Sequence, residues 1–514
     1  MKRLTAMLLC LCLIGALLAG CDSDPDAYVP TGDALEYDDD YTGPTVAPTE
    51  DEEIQDISLT YYPNVSMNPY TCADYTNRAL FSLIYQGLFT VDRDYNVSPM
   101  LCKSYRVSDD LRIYTFLLER ATFSDGTPVT AQDVLDSLNA AKKSKVYGGR
   151  FLQVDEMKLS EDGGVTIQMA APYENLPLLL DIPIMKSEEL EMPTPKGTGP
   201  YVFTASGSRA FLQRTRNWWC DAKLVINAET ITLTPAESIN QIRDNFQFGD
   251  LDIVCADPCS DRYADYRCDY ELWDCENGIF LNMIYSGYSK IFKNEQLRAA
   301  VTYAIDRDTL VMENYRGFAQ AATLPASPSS PYYNQNLANR YGYNPEKFAQ
   351  TVEDANLADK KVRILVNSDD SMRTRTAHAI CDMLAAGGLE PELIAISGNA
   401  YQYTLNAWDF DIYIGQTILS PNMDLTQFFF AYGTLRQGNT GDAAAYTLSQ
   451  QALENHGNFY TLHQEVMDRG LICPILFRSY AVYATRGLVT DLTPARDNIF
   501  YYDMGKTMED ARIN

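Results

Sequence analysis

The residue types that carry most enzyme and metal chemistry are scarce or badly spaced in this chain. Its 514 residues include three histidines, His378, His456 and His463. No His-Glu-x-x-His or Cys-x-x-Cys spacing occurs, and those patterns gather zinc or iron ligands on one face of a helix or turn. No Gly-x-Ser-x-Gly elbow exposes a serine, and the histidine segments hold no obvious partner for a nucleophile. The 69 acids offer carboxylate pairs, but no spacing singles one out. Gly197-Thr198-Gly199-Pro200 lacks the Lys-Ser/Thr that completes a phosphate loop and reads as a chain turn. The expectation is a protein with no catalytic residue, no metal site and no cofactor.

Cysteine chemistry needs more care. Cys21 ends the run Leu18-Ala19-Gly20-Cys21, behind Lys2, Arg3 and the apolar stretch Met7–Ala19. That stretch is too short for a permanent membrane span and reads as an export signal over residues 1–20. Its end resembles a bacterial lipobox, in which the thiol of Cys21 takes the lipid and becomes the mature N-terminus. Residues 22–53 hold twelve acids and no Lys or Arg. With few apolar side chains they cannot bury enough surface to fold, so residues 21–53 are expected to be an acidic tether. The chain is thus expected to be exported and anchored in the bilayer through acylated Cys21, on the outer face of the cytoplasmic membrane, at the cell surface or in the periplasm. Nine further cysteines follow, four of them at Cys255, Cys259, Cys268 and Cys275. Without a nearby histidine, and with no metal-site spacing, they read as one or two disulfides or as buried free thiols.

The formal net charge of −28 argues against nucleic acid and against docking on anionic lipid by charge. An acidic cleft would favour basic ligands. The length calls for two or three packed units.

The elements that would position a site follow from periodicity. Ile57–Tyr61 and Arg112–Leu118 alternate like strands, and Leu80, Phe81, Ile84 and Leu88 form a helical stripe across Arg78–Leu88. Ser124–Pro128 is a turn, and Thr130 with Asp133 forms a capping box for a helix burying Val134, Leu135, Leu138 and Ala141. Further on, strand Val362–Val366, a helix capped by Ser371 and ended by Gly387-Gly388, and strand Leu393–Ile396 make a βαβ unit and imply a parallel sheet. Phe410–Ile414 is expected to join it.

An ordered set of segments resembles family 5 of the bacterial extracellular solute-binding proteins, which serve oligopeptide, dipeptide and nickel ABC importers. The set runs from Tyr85-Gln86-Gly87-Leu88, through Ser98-Pro99-Met100-Leu101, Tyr114-Thr115-Phe116 and Phe123–Val134, to Gly197–Tyr201 and Asn217-Trp218-Trp219. It continues with Phe248–Ile253, Leu297–Val301, Ala304–Arg307 and Tyr343–Lys347. The resemblance implies an α/β protein of the type II periplasmic-binding-protein fold, with two lobes, a hinge and an inserted third domain. It places lobe I at 54–91, 186–277 and 478–514, the inserted domain at 92–185, and lobe II at 278–477. It implies a monomer that captures a solute, foremost an oligopeptide, and passes it to an ABC permease. A sugar, an opine-like compound, a metal complex or a sensing role are the alternatives.

By the same resemblance, Tyr62, Pro63, Asn64 and Val65 line the cleft from lobe I, and Trp408 and Gln416 from lobe II. The family's amine-binding Asp falls at Pro421 in this chain, which leaves Asp424 as the nearby acid, either an amine anchor or a helix cap.

Overall fold

The computed structural model describes residues 57–206, 209–259 and 266–513. The proposed signal, Cys21 and the tether lie outside them.

Strands occur in chain order as β1 (Ile57–Tyr61), β2 (Phe89–Val91), β3 (Val97–Pro99), β4 (Cys102–Val107), β5 (Ile113–Leu118), β6 (Val154–Leu159), β7 (Val165–Met169) and β8 (Tyr201–Ser206). They continue as β9 (Arg209–Arg214), β10 (Thr230–Pro235), β11 (Ile253–Ala256), β12 (Tyr270–Tyr285), β13 (Ala319–Ala321), β14 (Lys361–Asn367), β15 (Glu390–Ile396), β16 (Ile412–Ile418) and β17 (Cys473–Thr485). Eleven of these make one sheet, ordered β15-β14-β16-β12-β17-β11-β1-β10-β9-β8 with β13 beside β17. The antiparallel pair β12 and β17 at its centre joins two lobes. On one side β17 meets β11, and on the other β12 meets β16.

The pairing of β12 with β17 breaks between Glu276 and Phe280. Gly278 sits in this bulge with φ of +72°, where a side chain would be strained. Ahead of the bulge the strand pairs within lobe I, and beyond it Ile279–Tyr285 also pair with β16 of lobe II.

Lobe II shows why its strands read as continuous apolar runs. Ile364 and Val366 of β14 and Ile412 and Ile414 of β16 enter one core, while Leu365 and Tyr413 enter a second core on the opposite face. A sheet buried on both faces has no polar alternation to display. The strands β14 and β15 are parallel, as the βαβ pattern requires, and β16 joins β14 in parallel.

The four-stranded sheet β4-β5-β7-β6 forms the inserted domain. It shares a core with lobe I: Phe116 and Val165 belong to the same cluster as Ile57 and Leu59. Its helix Ala131–Lys143 carries the full capping box of Thr130 and Asp133. Asp133 also accepts from the Ser187 amide at 3.0 Å, which ties the helix to the returning chain. The C-terminal segment packs here too, with Ile513 N donating to Tyr105 O at 2.8 Å.

Two local expectations are corrected. The stripe across Arg78–Leu88 forms two one-turn helices, Tyr75–Arg78 and Phe81–Ile84, rather than one. Gly87 packs so closely on Asp181 that a Cβ there would lie 2.8 Å from its backbone, so an extended chain is held there instead. The cap of the long lobe II helix Ser371–Ala386 is Asp370, whose carboxylate accepts from Arg373 N, rather than Ser371.

Candidate functional site

A cavity of about 330 Å³ lies where the lobes, the inserted domain and the C-terminal segment meet. Asn277 of β12 and Tyr480 of β17 contribute the hinge side, and Ile418 and Ser420 reach it from lobe II. The Tyr480 ring stacks on Tyr75 at 3.6 Å between centroids. Burial pushes the Tyr480 phenol up to about 12, so it remains protonated at neutral pH.

One wall is a network of charges. Arg150, 7% exposed, pairs with Asp181 and with Asp497, and Arg78 meets Asp497 at 3.0 Å. Both guanidinium groups sit over Tyr147, at 5.5 Å for Arg78 and 5.2 Å for Arg150. Arg496 Nε stands 3.8 Å from Asp497. Gly278 makes room for Arg496: a Cβ there would lie 2.2 Å from the guanidinium carbon. Burial alone would raise Asp497, but Arg150, Arg496 and Arg78 together hold its carboxyl below the ordinary value. Burial raises Asp181, against the pull of Arg150.

The same wall leaves polar atoms over. Tyr75 Oη, Asn277 Nδ2, Arg496 Nη1, Asn498 Oδ1 and Tyr502 Oη are buried without a hydrogen-bond partner. Orphaned polar atoms around a cavity are costly unless something in the cavity satisfies them. A smaller cavity of about 80 Å³ adjoins through Asp181, Arg496 and Asp497, and carries Tyr95, Glu276 and Pro421 on its walls. Glu276 is raised by burial and accepts from Tyr95 Oη at 2.8 Å.

None of the seven residues singled out in the sequence borders the larger cavity. Tyr62, Pro63, Asn64 and Val65 form a turn after β1, pinned by Asn77, whose side chain bonds both the amide and the carbonyl of Tyr62. Trp408 ends the helix Gly398–Ala407 in the left-handed conformation and packs on Tyr288, 4.9 Å away. Gln416 lies on β16 opposite Leu281, two residues short of Ile418, which does line the cavity. Asp424 accepts from Thr426 N at 2.7 Å just ahead of the short helix Thr426–Phe429, whose N-cap position is Leu425. Gln153 of the inserted domain lies 3.4 Å from the same carboxylate. The cavity-lining Arg78, Tyr147, Arg150, Asp181, Arg496 and Asp497 carry no local motif. Arg150 and Asp497 are 347 positions apart.

Among the described residues no cluster of His, Cys, Asp or Glu could hold a metal. The nine cysteines from Cys72 to Cys473 are free thiols, the second of the two readings offered for them, and all but Cys268 and Cys381 are buried. Burial pushes Cys255 and Cys259 up to about 12, which suppresses the reactive thiolate.

Comparison with known proteins agrees with this architecture. Residues 96–439 match the family described as bacterial extracellular solute-binding proteins, family 5 Middle. The chain belongs to that family of type II periplasmic-binding proteins, which are binding proteins and not enzymes. The glutathione-binding protein GsiB of Salmonella choleraesuis is 25% identical over 310 residues, 57% of this chain and 60% of that protein. The chain thus spans about three-fifths of that relative's length. Among solved structures, NikA of Brucella suis in complex with Fe(III)-EDTA superposes with a TM-score of 0.70 at 17% identity, covering 87% of this chain and 98% of that one. AgaA of Agrobacterium tumefaciens R10 in complex with agropinic acid gives 0.60 at 19% identity, covering 85% and 94%.

Proposed function

We propose that this chain is the extracellular binding component of an ABC-type importer. It captures a short peptide in the 330 Å³ cavity and presents it to a membrane permease. The lobes turn about the bulge at Asn277–Ile279, and acylated Cys21 keeps the monomer at the outer face of the cytoplasmic membrane. The observation that carries the reading is the cavity: it is lined from both lobes at the hinge and ringed by polar atoms that lack partners. Closure over a solute would dehydrate it, strengthen its hydrogen bonds and give the permease a shape that signals loading. The volume lies at the small end of ligand pockets, which suits a short peptide over a long one.

A second reading, a small non-peptide acid or chelate, is favoured by Pro421. It stands where the family's peptide binders carry the amine-holding Asp, and it borders the adjoining small cavity. Related proteins carry glutathione, agropinic acid and an iron chelate.

Native mass spectrometry of the purified protein tests both. Co-purified masses that fit short peptides support the first reading, and a single non-peptide mass supports the second. An empty protein that ignores peptides, opine-like acids and chelates in thermal-shift assays would contradict solute capture itself.

A further inference from the structure

The seam between the four-stranded sheet and lobe II is fastened by an exchange of side chains. After β7 the chain runs through Tyr173, Glu174 and Asn175 into a single 3-10 turn, Leu176–Leu179. In such a turn, side chains three positions apart eclipse each other. Leu176 and Leu179 therefore share a direction, and both enter the core of lobe I and the four-stranded sheet. Leu178 points elsewhere and enters the lobe II core that holds Phe280, Phe428 and Phe477. Leu453, at the end of the lobe II helix Ala443–Glu454, makes the reverse crossing and belongs to the lobe I core. Each body thus buries a leucine of the other.

Hydrogen bonds close the seam between the two leucines. Glu174 N donates to Leu453 O at 2.8 Å. The Glu174 carboxylate accepts from His456 N at 2.9 Å and stands 3.6 Å from His456 Nδ1. Asn422 Nδ2 donates to Tyr173 Oη. The sheet side is anchored as well: Tyr173 N donates to Leu111 O at 3.1 Å, and Tyr173 O accepts from Tyr114 Oη at 2.6 Å. None of the bonded residues borders either cavity at the lobe junction, so a solute there neither makes nor replaces these bonds. Contacts made only while two bodies are together favour the state that holds them together.

We infer that Tyr173–Leu178 is a strap that fastens lobe II to the four-stranded sheet, and that the lobes open only as it detaches. Part of lobe closure is held by the chain's own contacts outside the cavity. This rests on the turning of the lobes about the β12 bulge and not on which solute is bound.

Small-angle scattering tests the strap on protein stripped of solute by unfolding and refolding. Wild type is compared with Glu174→Ala, Leu178→Ala and the control Glu161→Ala, an exposed acid in the turn between β6 and β7. Both strap variants are expected to show a larger radius of gyration than the wild type, and the control to match it. Native mass spectrometry of the unstripped proteins adds a rate: the strap variants should lose co-purified solute at least about fivefold faster. Circular dichroism shows whether Leu178→Ala folds; where it does not, Glu174→Ala, whose side chain is 46% exposed, carries the test. Equal dimensions for wild type and Glu174→Ala, or equal rates of solute loss, would overturn the inference. Faster amide exchange at His456 alone would not rescue it, since that amide loses its acceptor in any case. An empty protein would count against solute capture and leave the scattering comparison in force.

Discussion

His463 shows how a single buried group sets the behaviour of this protein in acid. The side chain is 0% exposed on the helix Phe459–Asp468, and neither ring nitrogen has a partner. Burial lowers it from 6.5 to about 3, so the folded protein holds it neutral. A histidine depressed in the folded state adds stability above pH 6.5 and loses it as pH falls toward 3. Chemical denaturation of His463→Phe and wild type between pH 6 and 4 should therefore diverge. The wild type should lose up to about 1.4 kcal/mol per pH unit relative to the variant. Parallel pH curves would mean that the histidine is protonated or solvated in the fold. Asp497 gives the opposite kind of test. It compensates Arg78 and Arg150, so Asp497→Asn leaves Arg78 without its carboxylate and Arg150 with Asp181 alone, and should cost about 3–5 kcal/mol in thermal or denaturant unfolding. A loss below about 1 kcal/mol would show that water reaches these arginines.

At the scale of elements, the bulge in β12 couples hinge to cavity. Gly278 carries φ of +72°, and a Cβ there would run into the Arg496 guanidinium. Gly278→Ala should cost about 1–2 kcal/mol from the left-handed backbone and displace Arg496 from the cavity wall. Solute affinity should fall while the fold persists by circular dichroism; unchanged affinity would show that Arg496 does not contribute to binding.

Elements were legible in the sequence where the physics is local. The Thr130–Asp133 capping box, the βαβ unit from β14 to β15 and the Gly387-Gly388 stop all depend on neighbours within a few positions. The Arg78–Leu88 stripe misled because the close packing of Gly87 on Asp181 overrides helical periodicity. Arg150 and Asp497 could not be paired from sequence, since 347 positions separate them and no spacing rule reaches that far. Of the cleft positions transferred by resemblance, none borders the larger cavity; Gln416 and Asp424 lie two and four residues along the chain from Ile418 and Ser420, which do.

At the scale of the whole molecule, family membership, two lobes on one central strand pair and a cation-rich cavity at their junction converge on solute capture. The chain carries −28 overall, while four cationic side chains and two carboxylates line the cavity. The most direct test is hydrogen–deuterium exchange on protein stripped of solute by unfolding and refolding, with and without its co-purified solute. Protection on solute addition is expected at residues 75–82, 145–150, 277–280, 418–420 and 496–499, from both sides of the hinge at once. Protection confined to one lobe, or none at these segments, would contradict the claim that the solute sits between the lobes.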